Sequence, residues 1–288
     1  MRVNDLVRFI KEREKIRVKK ESGKKRPWTS DPILGKFRFC NVHREDDWVT
    51  RWLRANWYRH LGEDPDIWFA AIVARLFNNP ETLYEIMPYV LPWKPEKVRA
   101  ILHKRRDAGK KNFNAAYIVS TNGVAMDKVD YIVTRVLGPL WADRKKLRKY
   151  PEHVGEPLHK LYEALIKYDG LGSFIAAQVI ADLKYLDRWQ RAIPVDLYTF
   201  AAPGPGSRRG LNRVLGFPLE LKLPDKGWWA HLNDLRAAVN KKMVDAPDLD
   251  AQDLQNCLCE FDKYERARLG EGTPKQIYKE RTDATSNK

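Results

Sequence analysis

The sequence predicts a mostly α-helical fold. Apolar residues recur at three- and four-residue spacing through most of the chain, and alternating apolar and polar runs are few and short. No internal repeat stands out. The chain has 288 residues and is 43% hydrophobic, enough to bury a core and too apolar for disorder. Lys and Arg number 53 against 38 Asp and Glu, a net charge of +15. Such a basic excess favours a polyanionic partner.

Composition also excludes classes. Cys40, Cys257 and Cys259 are too few for a disulfide framework. The first twenty residues carry charges throughout, so they hold no signal-peptide core. No apolar run approaches a membrane span, so no membrane partner is expected. A cytoplasmic protein with reduced thiols follows.

The elements come in order. Residues 1–20 read as an amphipathic helix with Leu6, Phe9 and Ile10 on one face and Ile16 beyond. Residues 19–29, KKESGKKRPWT, form a basic arm that suits nucleic-acid backbone and equally suits a solvated tether. Residues 44–61 read as one long helix, with Trp48, Trp52, Leu53 and Trp57 at helical spacing. A helix over 65–79 starts near Pro65 and stops at the NNP run. After ETLYEIMPYV come helices near 94–104, 127–137, 156–168 and 172–184, with a short segment at AYIVSTNG. PGPGSRRG, 203–210, reads as a loop, and helices follow over 228–242 and 250–266. The organisation expected is an N-terminal helix and basic arm (1–35), one helical catalytic domain (36–270) and a polar tail (271–288).

The most informative stretch runs from Tyr168 to Asp196. Gly170-Leu171-Gly172 directly precedes an apolar helix. Glycines there allow a tight turn. The turn and helix N-terminus, Gly170, Gly172 and Ser173, present amides suited to a DNA phosphate. The helix is anchored by Ile175, Ala176, Val179 and Ile180, and a loop then leads to Pro194-Val195-Asp196. This pattern resembles the core of the helix-hairpin-helix DNA glycosylase superfamily. The resemblance implies a hairpin that grips backbone beside a flipped base, with Asp196 catalytic at the pocket mouth. Where bifunctional members carry a lysine this chain has Phe174, which argues against Schiff-base chemistry. A plain helix cap is the structural reading of Asp196.

Three further constellations carry chemistry. In FCNVHREDDWVTRW, Asp47 lies three residues from Arg44 and four from Arg51. On a helix that is a carboxylate between two cations, suited to an ion network or to orienting an amine or phosphate. In PGPGSRRG, Ser207 precedes Arg208 and Arg209, whose forks match phosphate oxygens. In DLQNCLCEFDKYER, Asn256, Glu260, Lys263 and Tyr264 share a helix face opposite the core stripe Leu254, Leu258 and Phe261, with Asp262 between them.

Together these stretches resemble the alpha-glutamyl/putrescinyl thymine pyrophosphorylase family, largely phage-encoded, some members of which are described as amino acid:DNA transferases. The resemblance covers roughly residues 36–280 and implies a helix-hairpin-helix glycosylase-like fold. It implies replacement of the phosphate or pyrophosphate on a 5-phosphomethyluracil in double-stranded DNA by an amine, such as that of an amino acid like glycine or a polyamine. No cofactor and no metal are called for. Asp196, Asp47 and Arg44 are then the catalytic candidates. Arg208, Arg209, Ser207, Asn41, Arg51, Asn256, Glu260, Asp262, Lys263 and Tyr264 are the substrate and phosphate candidates. Cys257, beside Asn256, is a further candidate for addition to C6 of the ring, although a helical Cys is usually a small buried hydrophobe. A glycosylase that removes a modified base, or a non-catalytic DNA-binding module, fits part of the pattern. A zinc site from Cys40-x2-His43 and Cys257-x-Cys259 is a weaker alternative, its C-x-C spacing being tighter than usual.

Overall fold

A computed structural model describes the chain except residues 1, 63, 115, 116, 118, 153–156, 187–193, 245 and 279–288, and gives no side-chain environment for 151 and 152. Its helices are α1 Val3–Glu21, α2 Pro32–Lys36, α3 Trp48–Trp52, α4 Arg59–Leu61, α5 Ile67–Phe77, α6 Pro80–Ile86, α7 Pro95–Asp107, α8 Lys128–Asp130, α9 Gly138–Ala142, α10 Arg144–Glu152, α11 Leu158–Leu165 and α12 Ser173–Leu183, then α13 Pro205–Leu215, α14 Asp225–Asn240 and α15 Ala251–Arg268. Among the described residues there is no strand, and Phe37 and Ile277 form an isolated antiparallel bridge. The expected mostly helical class holds. No described helix is long and apolar enough to cross a membrane.

The chain divides into two compact units, residues 1–44 with 203–288, and residues 45–202. In the first, α1 buries Leu6, Phe9, Ile10 and Ile16 as the periodicity requires, and Arg13 in the same register is buried with them. α13 lies tightly on α15. A Cβ on Gly210 would stand 2.1 Å from the Leu258 carbonyl oxygen, and one on Gly206 would stand 2.6 Å from Cys259 Sγ. At Gly210, where the close atoms are backbone, only hydrogen permits that approach.

PGPGSRRG is therefore no loop. It is the start of α13, with Pro205 in the first turn. The Ser207 hydroxyl accepts from the Gly204 N–H and donates to the Gly204 carbonyl, both at 3.0 Å. Proline at N1 and a serine that answers the cap are helix-start chemistry.

In the second unit every residue of α5 is buried. Its one charge, Arg75, meets Asp182 of α12 at 2.5 and 2.6 Å. The same carboxylate accepts from Tyr58 Oη (2.6 Å), and Arg75 also donates to Thr50 Oγ1 (3.0 Å) and Asn78 Oδ1 (2.9 Å). A pair this deep persists only when its remaining donors and acceptors are satisfied.

The helix expected over 44–61 is interrupted. Arg44–Asp46 is a 3-10 turn, and Asp47 is extended (φ −71°, ψ 129°) and caps α3 through Thr50 N–H (2.9 Å) and Thr50 Oγ1 (3.1 Å). Leu53–Tyr58 then widens into a π-turn before α4. The capping carboxylate outcompetes helix continuation at Asp47, so the expected Arg44–Asp47–Arg51 helical face does not form.

α11 and α12 are joined by the turn at Tyr168–Gly172. Gly170 has φ +75°, and a Cβ there would meet Val136 Cγ2 at 2.4 Å. Gly172 has φ −54° and caps α12 with open space where a Cβ would project. Parts of AYIVSTNG, the loop over 187–193 and the end of the tail lie outside the described residues.

Candidate functional site

In the first unit three of the motifs converge on α15. The Cys40–Arg44 segment lies along that helix and is fastened at each step. Cys40 N–H donates to Glu260 (3.3 Å), Asn256 Nδ2 donates to the Asn41 carbonyl (3.2 Å), and Arg44 N–H donates to Asp253 (3.1 Å). His43 Nδ1 faces the other Asp253 oxygen at 3.4 Å. Asp253, Asn256 and Glu260 are spaced three and four apart, so one helical stripe binds the backbone of one neighbouring segment. Arg13 closes the segment from α1, donating to the Cys40 carbonyl and, at 3.0 Å, to the Asn41 carbonyl.

Two buried carboxylates on α15 hold cations that reach the surface. Asp262 is 1% exposed and bonds Arg209 Nε and Arg213 Nε, each at 2.9 Å. Glu260 is 3% exposed and receives Lys263 Nζ at 2.6 Å. The Arg209 and Lys263 side chains keep 36% and 45% of their exposure. Burial works against the Lys263 charge, but Glu260 outweighs it and raises the ammonium above its ordinary value. The Cys259 thiol lies within electrostatic reach of both cations, though burial leaves it raised. The arrangement suits an anion: two forked or pointed cations whose positions are fixed from beneath.

The other residues expected at the site divide. Arg208 turns away from Arg209, donating to the Leu223 carbonyl (2.7 Å) and pairing with Asp225. Tyr264 Oη donates to Asp31 (2.7 Å). Ser207 is completely buried as a cap, and Glu260 and Asp262 are buried supports, so these three meet other side chains and backbone instead of solvent. Cys257 is completely buried, and burial pushes its thiol up to about 11, the environment of a structural cysteine. Among the described residues no cysteine belongs to a group bringing three metal-ligand atoms together, so the zinc alternative lacks its ligands.

In the second unit Asp196 accepts from Leu158 N–H (2.6 Å) and His159 N–H (3.1 Å) and faces His159 Nδ1 at 3.1 Å. It thus caps α11 from a distance with both oxygens. Asp47 is exposed and applies one oxygen, Oδ2, to Thr50, and Arg51 is exposed on the same helix. At the turn before α12, Asp169 accepts from Asn122 Nδ2 (3.1 Å), and Ser173 is exposed. Phe174 is 52% exposed and stands edge-on to Tyr117, centroids 5.0 Å apart. Among the tryptophans, Trp57, Trp68, Trp93 and Trp228 are buried, while Trp48 is 59% exposed.

Several contributors went unforeseen: Arg13, Arg75, Asp182, Arg213 and Asp253. The signal was present for three of them. Arg13 interrupts the apolar register of α1, and Arg75 and Asp182 are opposite lone charges in two otherwise apolar helices. A charge on an apolar face is affordable when it meets its partner there.

The family model described as "5-hmdU DNA kinase, helical domain" matches residues 1–273. A 5-hmdU DNA kinase of Bacillus phage SP10 is 24% identical over 277 residues, covering 84% of this chain and 41% of that protein. The chain thus spans about two fifths of that relative's length. No solved structure matches. The matched span includes α1 and the basic arm, which the motif resemblance left outside. It supports the broader expectation of a phage family acting in thymine modification, under a different description from the pyrophosphorylase the motifs resemble. Matched over residues 1–273, the chain belongs to the 5-hmdU DNA kinase helical-domain family.

Proposed function

We propose that this chain handles a 5-substituted uracil in DNA and exchanges a phosphate on its exocyclic methylene for an amine. The observation that carries the reading is the pair Arg209 and Lys263, each seated on a nearly buried carboxylate of α15 where three motifs meet. Cations fixed this way need little reorganisation when charge develops on an anion, which is where electrostatic catalysis is strongest.

In the proposed reaction the C–O bond to phosphate breaks and its electron pair leaves on phosphate oxygen, facing Arg209 and Lys263. The amine nitrogen's lone pair forms the new C–N bond, and its surplus proton passes to a carboxylate. Of the two carboxylates the sequence offered, Asp47 has one oxygen, Oδ2, engaged by Thr50, whereas both Asp196 oxygens receive N–H groups. Arg44, in the same unit as Arg209 and Lys263, is the cation proposed for the carboxylate of an amino acid donor. The turn at Gly170–Ser173, with Phe174 exposed beside it, is proposed to meet the DNA backbone as in a helix-hairpin-helix grip. A base must leave the stack to be reached, at a cost of a few kcal/mol offset by such contacts.

A second reading has its own observation. The phage SP10 relative is named a 5-hmdU DNA kinase, and the same cations would suit a phosphoryl group on its way to the 5-hydroxymethyl oxygen. The matched model is a helical domain and the relative is more than twice as long as the matched stretch, so the named activity belongs to a larger protein. Duplex DNA bearing 5-phosphomethyluracil, incubated with the protein and a pool of amino acids and polyamines, separates the two by nucleoside mass. Gain of an amine with loss of phosphate supports transfer. Phosphate gained by 5-hydroxymethyluracil DNA from ATP, with no amine incorporated, supports the kinase.

A further inference from the structure

The basic stretch from the last turn of α1 to just past α2 is built as a clasp. Over residues 19–38 seven basic side chains, Lys19, Lys20, Lys24, Lys25, Arg26, Lys36 and Arg38, stand against Glu21 and Asp31. A charge run of this kind is ordinarily a solvated tether. Here it is fastened. Lys19 Nζ donates to the Trp28 carbonyl (2.6 Å), Trp28 Nε1 donates to the Lys24 carbonyl (2.7 Å), and Lys24 N–H donates to the Lys19 carbonyl (3.0 Å).

Residues 276–278 close over it. Tyr278 N–H donates to the Lys36 carbonyl (3.1 Å) and Arg38 N–H to the Gln276 carbonyl (2.9 Å). The Tyr278 ring meets Trp28 edge-on at 5.3 Å, and the Arg26 guanidinium lies over both rings at 4.9 and 5.0 Å. Lys20, Lys24, Lys25, Lys36, Arg38 and Lys275 remain exposed.

Two acids against seven cations leave this surface net positive. Glu21 pairs with Arg17 (2.7 Å). Asp31 gives one oxygen to the Ile33 and Leu34 N–H groups and the other to Tyr264. Holding like charges together on a fixed scaffold is unfavourable unless a polyanion neutralises them. Duplex DNA offers one phosphate charge per about 1.7 Å of axis and releases counterions on contact.

We propose that the clasp formed by residues 19–28, 36–38 and 275–278 docks the phosphate backbone of duplex DNA, independently of the residues that handle the modified base. The proposal rests on the DNA reading above, but its test uses unmodified DNA and so reads separately from turnover. The triple variant Lys24→Gln, Lys25→Gln, Lys36→Gln removes exposed charge without touching the fastening side chains. Anisotropy of a labelled unmodified duplex is followed through a salt titration. Each lost phosphate contact lowers the slope of log affinity against log salt by about 0.9, so loss of all three contacts lowers it by about 2.7, with affinity at low salt down about tenfold. Trp28→Ala, which loosens the clasp and keeps its charge, should weaken duplex binding with a smaller change in slope. Turnover of saturating modified DNA should be unchanged in the triple variant. An unaltered slope in the triple variant, or a loss seen with single-stranded DNA and not with duplex, overturns the proposal.

Discussion

At the scale of single residues, the behaviour of Arg209 and Lys263 differs because of what lies under each. Asp262 keeps Arg213 when Arg209 is removed, so Arg209→Ala should melt close to the parent protein. Its cost should fall on amine incorporation, about a hundredfold in rate or roughly 3 kcal/mol of barrier. Initial rates on 5-phosphomethyluracil DNA check this, and an undiminished rate contradicts the cation's role. Lys263 is the cation of Glu260, which is nearly buried. Lys263→Met should therefore destabilise by about 1–3 kcal/mol, and adding Glu260→Gln should restore part of that loss. Thermal melting of the single and double variants decides it; a double variant no more stable than Lys263→Met would show that the pair does not act as a unit. Asp196→Asn should lower stability by about 1 kcal/mol through loss of the α11 cap. An unchanged melting temperature would return Asp196 to the pocket.

At the scale of elements, α13 on α15 is the packing on which the site depends. Gly210→Ala must push a methyl against the Leu258 carbonyl, so the helices separate and stability falls by about 1–3 kcal/mol. Gly227 in α14 is the contrast, because a Cβ there meets nothing within 4 Å. Gly227→Ala should hold or raise the melting temperature, by up to roughly 1 kcal/mol in stability. A Gly210→Ala protein as stable as the parent would contradict the close approach. The same elements show what can be read in a sequence. α1, α5, α12 and α15 announce themselves by period, since one face of each is apolar at three- and four-residue spacing. The break at Asp47 does not, because WVTRWLRANWY continues the period while a local cap decides the start. The start of α13 was hidden by Pro-Gly-Pro-Gly, although Pro205 and Ser207 are the residues a helix start uses. The motifs around Asn41, Arg209 and Lys263 were visible as chemistry. Their convergence was not, because it depends on α15 carboxylates meeting backbone more than two hundred residues away.

At the scale of the whole molecule, the charge distribution sets the response to acid and to substrate. Burial pushes Glu265 up, but bonds from Arg268 and Arg2 outweigh it and hold the carboxyl below its ordinary 4.5. A depressed carboxyl contributes stability that is complete above the unfolded value and is lost as pH falls through the lower folded value. Melting temperature should thus drop as pH falls below about 4.5 and through the lower folded value, and drop less steeply in Glu265→Gln. Equal slopes in the two proteins would place the acid sensitivity elsewhere. The central claim, that the chain exchanges phosphate for an amine on a uracil in DNA, is tested most directly by the nucleosides it leaves behind. Duplex DNA carrying 5-phosphomethyluracil, treated with the protein and candidate amines, is digested and weighed by mass spectrometry. The account predicts a nucleoside that keeps its N-glycosidic bond, loses the phosphate and gains one donor amine, with the yield reduced in Arg209→Ala. Abasic sites, or 5-phosphomethyluracil returned unchanged with every donor, would contradict it.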